Sequence, residues 1–460
     1  MTASGFTPRQ RSTVLLMVIA VIVVFAMLAG LVITSMQDWE SVPPVTPQSF
    51  VSRPSTPLPV PTLLPSPSPV PEEGIWSQVQ AARLFDQVAH QVEILRGLSP
   101  QASVPLSFLD EREMATTLRQ FYAARNSEVQ WLPYIALGLL PNASISIAPH
   151  PVAGFYIADQ EQFYVTAVQQ ESSADDQALL AHAYTHALQD QHFDLGGMDA
   201  RATTTDAALA VRALVEGDAM LVMALYRYED LVAADWGHLA ELIVQAEQPS
   251  FGEELDHSEA WMRLQHFPYQ EGRRFADILL QAGGWEAVNQ AYTAPPRSTE
   301  QVLHPERYLN AQDSPTYVVV PDLGATLGEG WTMALQDTVG EFTVGLYLEA
   351  WLPEETAWQA ANGWDGDTLV AWEHTDGSHV LVWRTIWDST AEATEFERAL
   401  VALVPQRDLP ARPVVPPRGL AGTWWETNAG AAYVSRVARY VTTIYAPDIN
   451  ALANIVEVLP

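Results

Sequence analysis

His182 and His186 stand four residues apart, and Glu216 follows on a later apolar row. Residues four apart on a helix leave the same face with Cβ atoms about 5–6 Å apart, so two imidazole nitrogens can meet one cation. In a chain with 11 histidines such a pair alone is more often the mark of ordinary surface or core histidines than of a metal. Glu216 changes the balance. It interrupts the row Leu209, Ala213, Met220, Met223, whose spacing marks one helical face, and so places a carboxylate where apolar side chains are buried. A buried carboxylate needs a cation or several donors. Arg212, one turn earlier, is one candidate partner; a zinc ion shared with His182 and His186 is the other, with water in the fourth position left open by three protein ligands. Asp218 lies off this face, and His192 does too if its helix simply continues.

These three residues require two long helices. Ser173 followed by Asp176 is a capping-box start with Asp175 in the first turn, and the helical pattern runs to Gln191 before Gly196 and Gly197 stop it. A second helix is expected over residues 205–228. Ahead of both, residues 154–168 read as strand, turn, strand, a pair whose edge can accept an extended peptide by strand addition. Residues 75–96 carry helical periodicity, further helix extends to Gln290, and residues 294–308 read as a loop. Beyond, residues 317–320, 369–373 and 379–387 read as strands, with Asp376-Gly377 at a hairpin turn, and residues 391–403 as a helix. The fold class expected is α+β: a mainly helical domain with a β-hairpin at 73–315 and a C-terminal α+β region at 316–460.

The helix sequence Leu180-Ala181-His182-Ala183-Tyr184-Thr185-His186-Ala187-Leu188-Gln189-Asp190-Gln191-His192-Phe193-Asp194-Leu195 resembles the H-E-x-x-H helix of zincin metallopeptidases. The version it is similar to reads H-E-x-x-H-A-L-Q-D-Q-H-F-D-L followed by A-L-V-E-G-D-A, the latter matched here by residues 213–219. Sequences of this type occur in membrane or surface proteins of bacteria and haloarchaea, and they are similar to gluzincins, whose third ligand is a Glu on the following helix. The likeness continues through Gly283-Gly284-Trp285, Ser298 to Gln301, Leu303 to Tyr308, Gly363-Trp364 and Trp383-Arg384-Thr385. It implies zinc on His182, His186 and Glu216, a peptide or protein segment as partner, and a possible transition-state donor in His304. One departure is decisive. The family's catalytic Glu, which takes a proton from zinc-bound water and passes it to the leaving amine, is replaced by Ala183. Alanine can do neither, so the resemblance implies a zinc-binding protein that has lost hydrolysis. An active peptidase with Asp190 or Asp218 as substitute base, and a structural surface module without metal, are the alternatives.

Composition narrows the remaining classes. The 460 residues are 48% hydrophobic and 17% charged, enough apolar material for a large core. All 23 basic residues are Arg; without Lys there is no P-loop lysine and no Schiff-base lysine. Without Cys there is no thiol nucleophile, thiolate metal site or disulfide. A net charge of −32 argues against nucleic acid as a partner. Residues 14–33 carry no charge and are long enough to span a bilayer, a cleaved signal peptide being the rival reading. Arg9 and Arg11 precede the segment and Asp38 and Glu40 follow it. This predicts a cytoplasmic N-terminus at 1–13, a transmembrane helix at 14–36, a stalk at 37–72 with 11 prolines between residues 43 and 71, and a single-pass membrane protein with its globular part outside.

Overall fold

Ser173 and Thr204 set the starts of the two ligand-bearing helices in the computed structural model of the chain. The structure describes residues 78–125, 131–140, 154–166, 172–247, 259–311 and 313–459. These form α1 (Gln78–Arg96), β1 (Leu106–Leu109), α2 (Glu111–Arg125), α3 (Leu132–Ala136), β2 (Gly154–Ile157), β3 (Gln162–Thr166), α4 (Ala174–Phe193), α5 (Leu195–Arg201), α6 (Thr205–Tyr228), α7 (Trp236–Glu247), α8 (Glu259–Thr293) and α9 (Thr299–Leu303). The chain continues through α10 (Gly324–Leu327), β4 (Trp331–Asp337), α11 (Gly340–Glu349), α12 (Glu354–Ala361), β5 (Trp364–His374), β6 (His379–Trp387) and α13 (Thr390–Arg407). It ends with β7 (Arg412–Val414), β8 (Thr423–Thr427), β9 (Gly430–Val437), β10 (Tyr440–Ala446) and α14 (Ile449–Val458).

The capping box is formed. The Ser173 hydroxyl accepts from the Asp176 amide at 3.0 Å, and the Asp176 carboxylate accepts from the Ser173 amide at 2.8 Å, satisfying two orphan donors of α4. Asp194, in the left-handed region at φ 56°, ends α4. Thr204 caps α6 by accepting from the Ala207 amide. Helices α6 and α8 cross with their backbones touching. A Cβ on Gly217 would collide with the backbone of Gly272, and one on Gly272 with the backbone of Ala213. The glycine beside Glu216 is therefore a packing requirement. Helix α8 breaks at Gly283 and Gly284, the latter at φ 67°.

The hairpin β2–β3 is present, and β1 joins it in parallel with β3, giving the order β1-β3-β2. The C-terminal region is one antiparallel seven-stranded sheet in the order β4-β5-β6-β10-β9-β8-β7. One apolar cluster joins Leu214, Phe267 and Phe275 of the helical part to Trp364, Trp383, Phe396 and Leu400 on one face of this sheet. The opposite face packs Val370, Val382 and Ile444 against Leu452 and Ile455 of α14.

Three expectations are corrected. Residues 317–320 are not a strand; side chains of the sheet hold them, the Val318 carbonyl accepting from Thr368 Oγ1 and the Val319 carbonyl from Arg384 Nη1. The segment read as a loop at 294–308 contains α9, which Ser298 caps. The fold is α+β, but among the described residues no helix is long and apolar enough to cross a membrane. The long helices carry interior charge, such as Arg212, Glu216 and Asp218 in α6 and Glu271, Arg273 and Arg274 in α8. The reading of a single-pass membrane protein with a cytoplasmic N-terminus is therefore not supported. The segments 14–36 and 37–72 on which it rested lie outside the described residues.

Candidate metal centre

His182 and His186 leave α4 on one face, and Glu216 meets them from α6. His182 Nε2 and His186 Nε2 lie 3.1 Å apart, and Glu216 Oε2 is 3.3 Å from each. A tetrahedral zinc with bonds of about 2.0–2.1 Å separates its ligand atoms by about 3.3 Å. The three atoms thus form a triangle the size of one face of a zinc tetrahedron. They are the only group of His, Cys, Asp and Glu atoms among the described residues close enough to hold an ion. His182 is fully buried, and His186 and Glu216 keep a little exposure.

The proton on His186 can be placed by its neighbours. Gln189 Nε2 donates to the Val215 carbonyl and to Asp218 Oδ2, each at 3.0 Å, which turns Gln189 Oε1 toward His186 Nδ1 at 2.8 Å. An amide oxygen only accepts, so Nδ1 carries the proton and Nε2 presents its lone pair to the triangle. That is the tautomer a metal requires, fixed by the outer hydrogen bond as metal-ligating histidines are. Asp218 is held in turn by Arg96 Nε at 2.7 Å and Tyr292 Oη at 2.7 Å, both buried with it. The donor set therefore fits a borderline-soft divalent cation: two imidazoles and one carboxylate, converging on one point, with a lone pair and a negative charge facing each other.

Burial pushes the Glu216 carboxyl up, but positive charge on His186 and His182 and hydrogen bonds from them override the rise and hold the group below the ordinary carboxylate range. The carboxylate thus favours a positive charge at this point, which protons on the imidazoles supply when no cation is bound. Arg212 and the imidazoles share Glu216: Arg212 Nε lies 3.8 Å from Oε1 while Oε2 faces the histidines. The arginine also reaches Tyr269 Oη at 3.2 Å.

The other sequence-derived candidates lie elsewhere. Ala183 is 3% exposed in the apolar cluster with Phe85, Phe163 and Leu188. His304 Nε2 is 3.0 Å from Glu341 Oε1, and that hydrogen bond raises the histidine pKa against the effect of burial. His192 turns off the ligand face, with Nε2 donating to the Ser99 carbonyl at 2.7 Å. Asp190 accepts from Tyr156 Oη at 2.8 Å and from the Leu195 amide at 3.2 Å. Asp218 is buried and fully engaged. Sequence reasoning missed Gln189, although its place three residues after His186 puts it on the same helical face. Arg96 and Tyr292 carried no sequence signal, because they come from remote helices.

Residues 331–456 match a domain family of unknown function, DUF8575. This span holds the seven-stranded sheet and its helices and none of the three candidate ligands. No curated protein and no solved structure matches the chain.

Proposed function

We propose that this chain is a zincin-like protein that binds zinc through His182, His186 and Glu216, holds a peptide or protein segment beside it, and does not hydrolyse it. The observation that carries the reading is the ligand triangle of 3.1, 3.3 and 3.3 Å with a histidine tautomer already set for a metal. Zinc in such a site acts as a Lewis acid toward a carbonyl or water in its open position.

The absence of turnover follows from Ala183. Positioned acid–base catalysis contributes about 10²- to 10⁴-fold in rate, and an alanine contributes none of it. The substitute bases considered from sequence are poorly suited. Asp218 is consumed by Arg96, Gln189 and Tyr292, and Asp190 by Tyr156 and the α5 start. Strand β2 supports the choice of an extended partner. Among the described residues it pairs only with β3, and it lies against α4, where Gly154 leaves no room for a Cβ beside Leu180.

The test is a diverse peptide library incubated with zinc-loaded full-length protein, read by mass spectrometry for cleavage and by affinity capture for binding. Captured peptides that remain intact, and whose capture is weakened by His186→Ala, are the expected result. Zinc-dependent cleavage by the parent protein would replace this reading with that of an active peptidase.

A further inference from the structure

The sheet face that carries α14 holds a small cavity of about 50 Å³, remote in sequence from the metal ligands. A single water needs roughly 10–15 Å³ on this scale, so the space fits about three to five atoms of that size. Strand register builds its floor. Arg384 of β6 stands opposite Thr442 of β10, and Thr442 opposite Ser435 of β9. These three lie in a row on the face where Val382 and Ile444 pack under α14, and Tyr433 and Tyr440 form walls. None of the eight lining residues is acidic, in a chain with 55 carboxylate side chains.

Arg384 is the cation of the cavity and has no carboxylate partner among the described residues. Its Nη1 donates to the Val319 carbonyl at 3.0 Å, and its guanidinium carbon lies 4.9 Å from the Tyr440 ring centroid. Its Nε is buried without an acceptor. Leaving a buried charged donor unpaired is costly, more so than for a neutral group. With Nη1 occupied, the Nε–Nη2 edge is the side that presents two parallel donors, the geometry that matches the two oxygens of a carboxylate.

We propose that this cavity is a carboxylate-binding site, in which the Nε–Nη2 edge of Arg384 grips the two oxygens and the hydroxyls of Ser435 and Thr442 supply further donors. The volume admits the carboxylate group of a small free acid or of a peptide C-terminus, and it is independent of the zinc reading.

The test uses full-length protein and ligand-observed NMR titrations with sodium acetate, with acetamide as the neutral isostere and sodium chloride to match ionic strength. Saturable acetate binding, absent for acetamide and weakened at least tenfold by Arg384→Gln, is the expected result. Arg384→Lys should weaken it severalfold because the fork is lost while the charge remains. Thr442→Val keeps the guanidinium and should weaken binding severalfold, which preserves the test if Arg384→Gln does not fold. Ala-Ala-Ala binding more tightly than its C-terminal amide, with the same dependence on Arg384, would assign the site to a chain end; acetate binding without peptide binding would assign it to small free acids. No saturable acetate signal, or one equal for acetamide or unchanged in the folded Arg384 and Thr442 variants, would overturn the proposal.

Discussion

At the scale of single residues, the candidate site is a matter of where one proton sits. His186 presents a lone pair because Gln189 must spend its two amide hydrogens on Val215 and Asp218. Replacing Gln189 with Leu removes the acceptor that fixes Nδ1–H, and such outer partners are worth about 10–100-fold in metal affinity. We predict a drop of that size in zinc affinity for Gln189→Leu, measured by competition with a chromophoric chelator on protein whose circular dichroism matches the parent. An unchanged affinity would mean that the ring is oriented by other contacts. His182 and His186 were legible as a pair because helical spacing puts them on one face, and Glu216 as a carboxylate in an apolar row; that the two faces meet was implied only by the resemblance to gluzincins. The network behind them was not, since Arg96, Asp218 and Tyr292 meet only after three helices have packed.

At the scale of elements, the ligand helices were legible from their caps. Ser173 and Asp176 announce α4, and the reciprocal hydrogen bonds are both made. The strand β1 and helix α9 were not legible, because each is four or five residues long and is held by tertiary neighbours more than by its own propensity. The crossing of α6 and α8 gives a sharper prediction. Gly217 and Gly272 bring the two backbones into contact, so an added methyl at either position must push the helices apart. Overpacking of this kind costs about 1–3 kcal/mol. Gly217→Ala and Gly272→Ala should each lower stability by that amount in urea unfolding, and Gly217→Ala should also displace Glu216 and lower zinc affinity. A neutral effect on both would show that the helices can yield without strain.

At the scale of the whole molecule, the described residues belong to one compact unit, although the sequence reads as two regions divided near residue 316. The division is compositional, whereas the core is shared: Phe267 packs against Phe342 across it, the rings tilted by 39° with centroids 4.1 Å apart. Buried carboxyls lie along this junction. Asp206 of α6 accepts from the amide and hydroxyl of Thr299 at 2.7 and 2.6 Å; burial pushes its pKa to about 8, and those hydrogen bonds oppose the rise only in part. Asp367, which accepts from the Val339 and Gly340 amides, is raised by burial to about 6. An acid with a raised folded-state pKa favours its neutral form on folding. Its contribution is complete below the unfolded value near 4 and is lost as pH climbs to the folded value. Groups held low, such as Asp175, act only below that range. The melting temperature should therefore fall between about pH 5 and 8, and Asp206→Asn should flatten the slope; a melting temperature that rises over this interval would contradict the assignment. The most direct test of the central claim is elemental analysis of full-length protein purified without chelator and supplemented with zinc. One zinc per chain, lost in both His182→Ala and Glu216→Ala, is the predicted result; no bound zinc, or stoichiometric zinc that survives both substitutions, would contradict it.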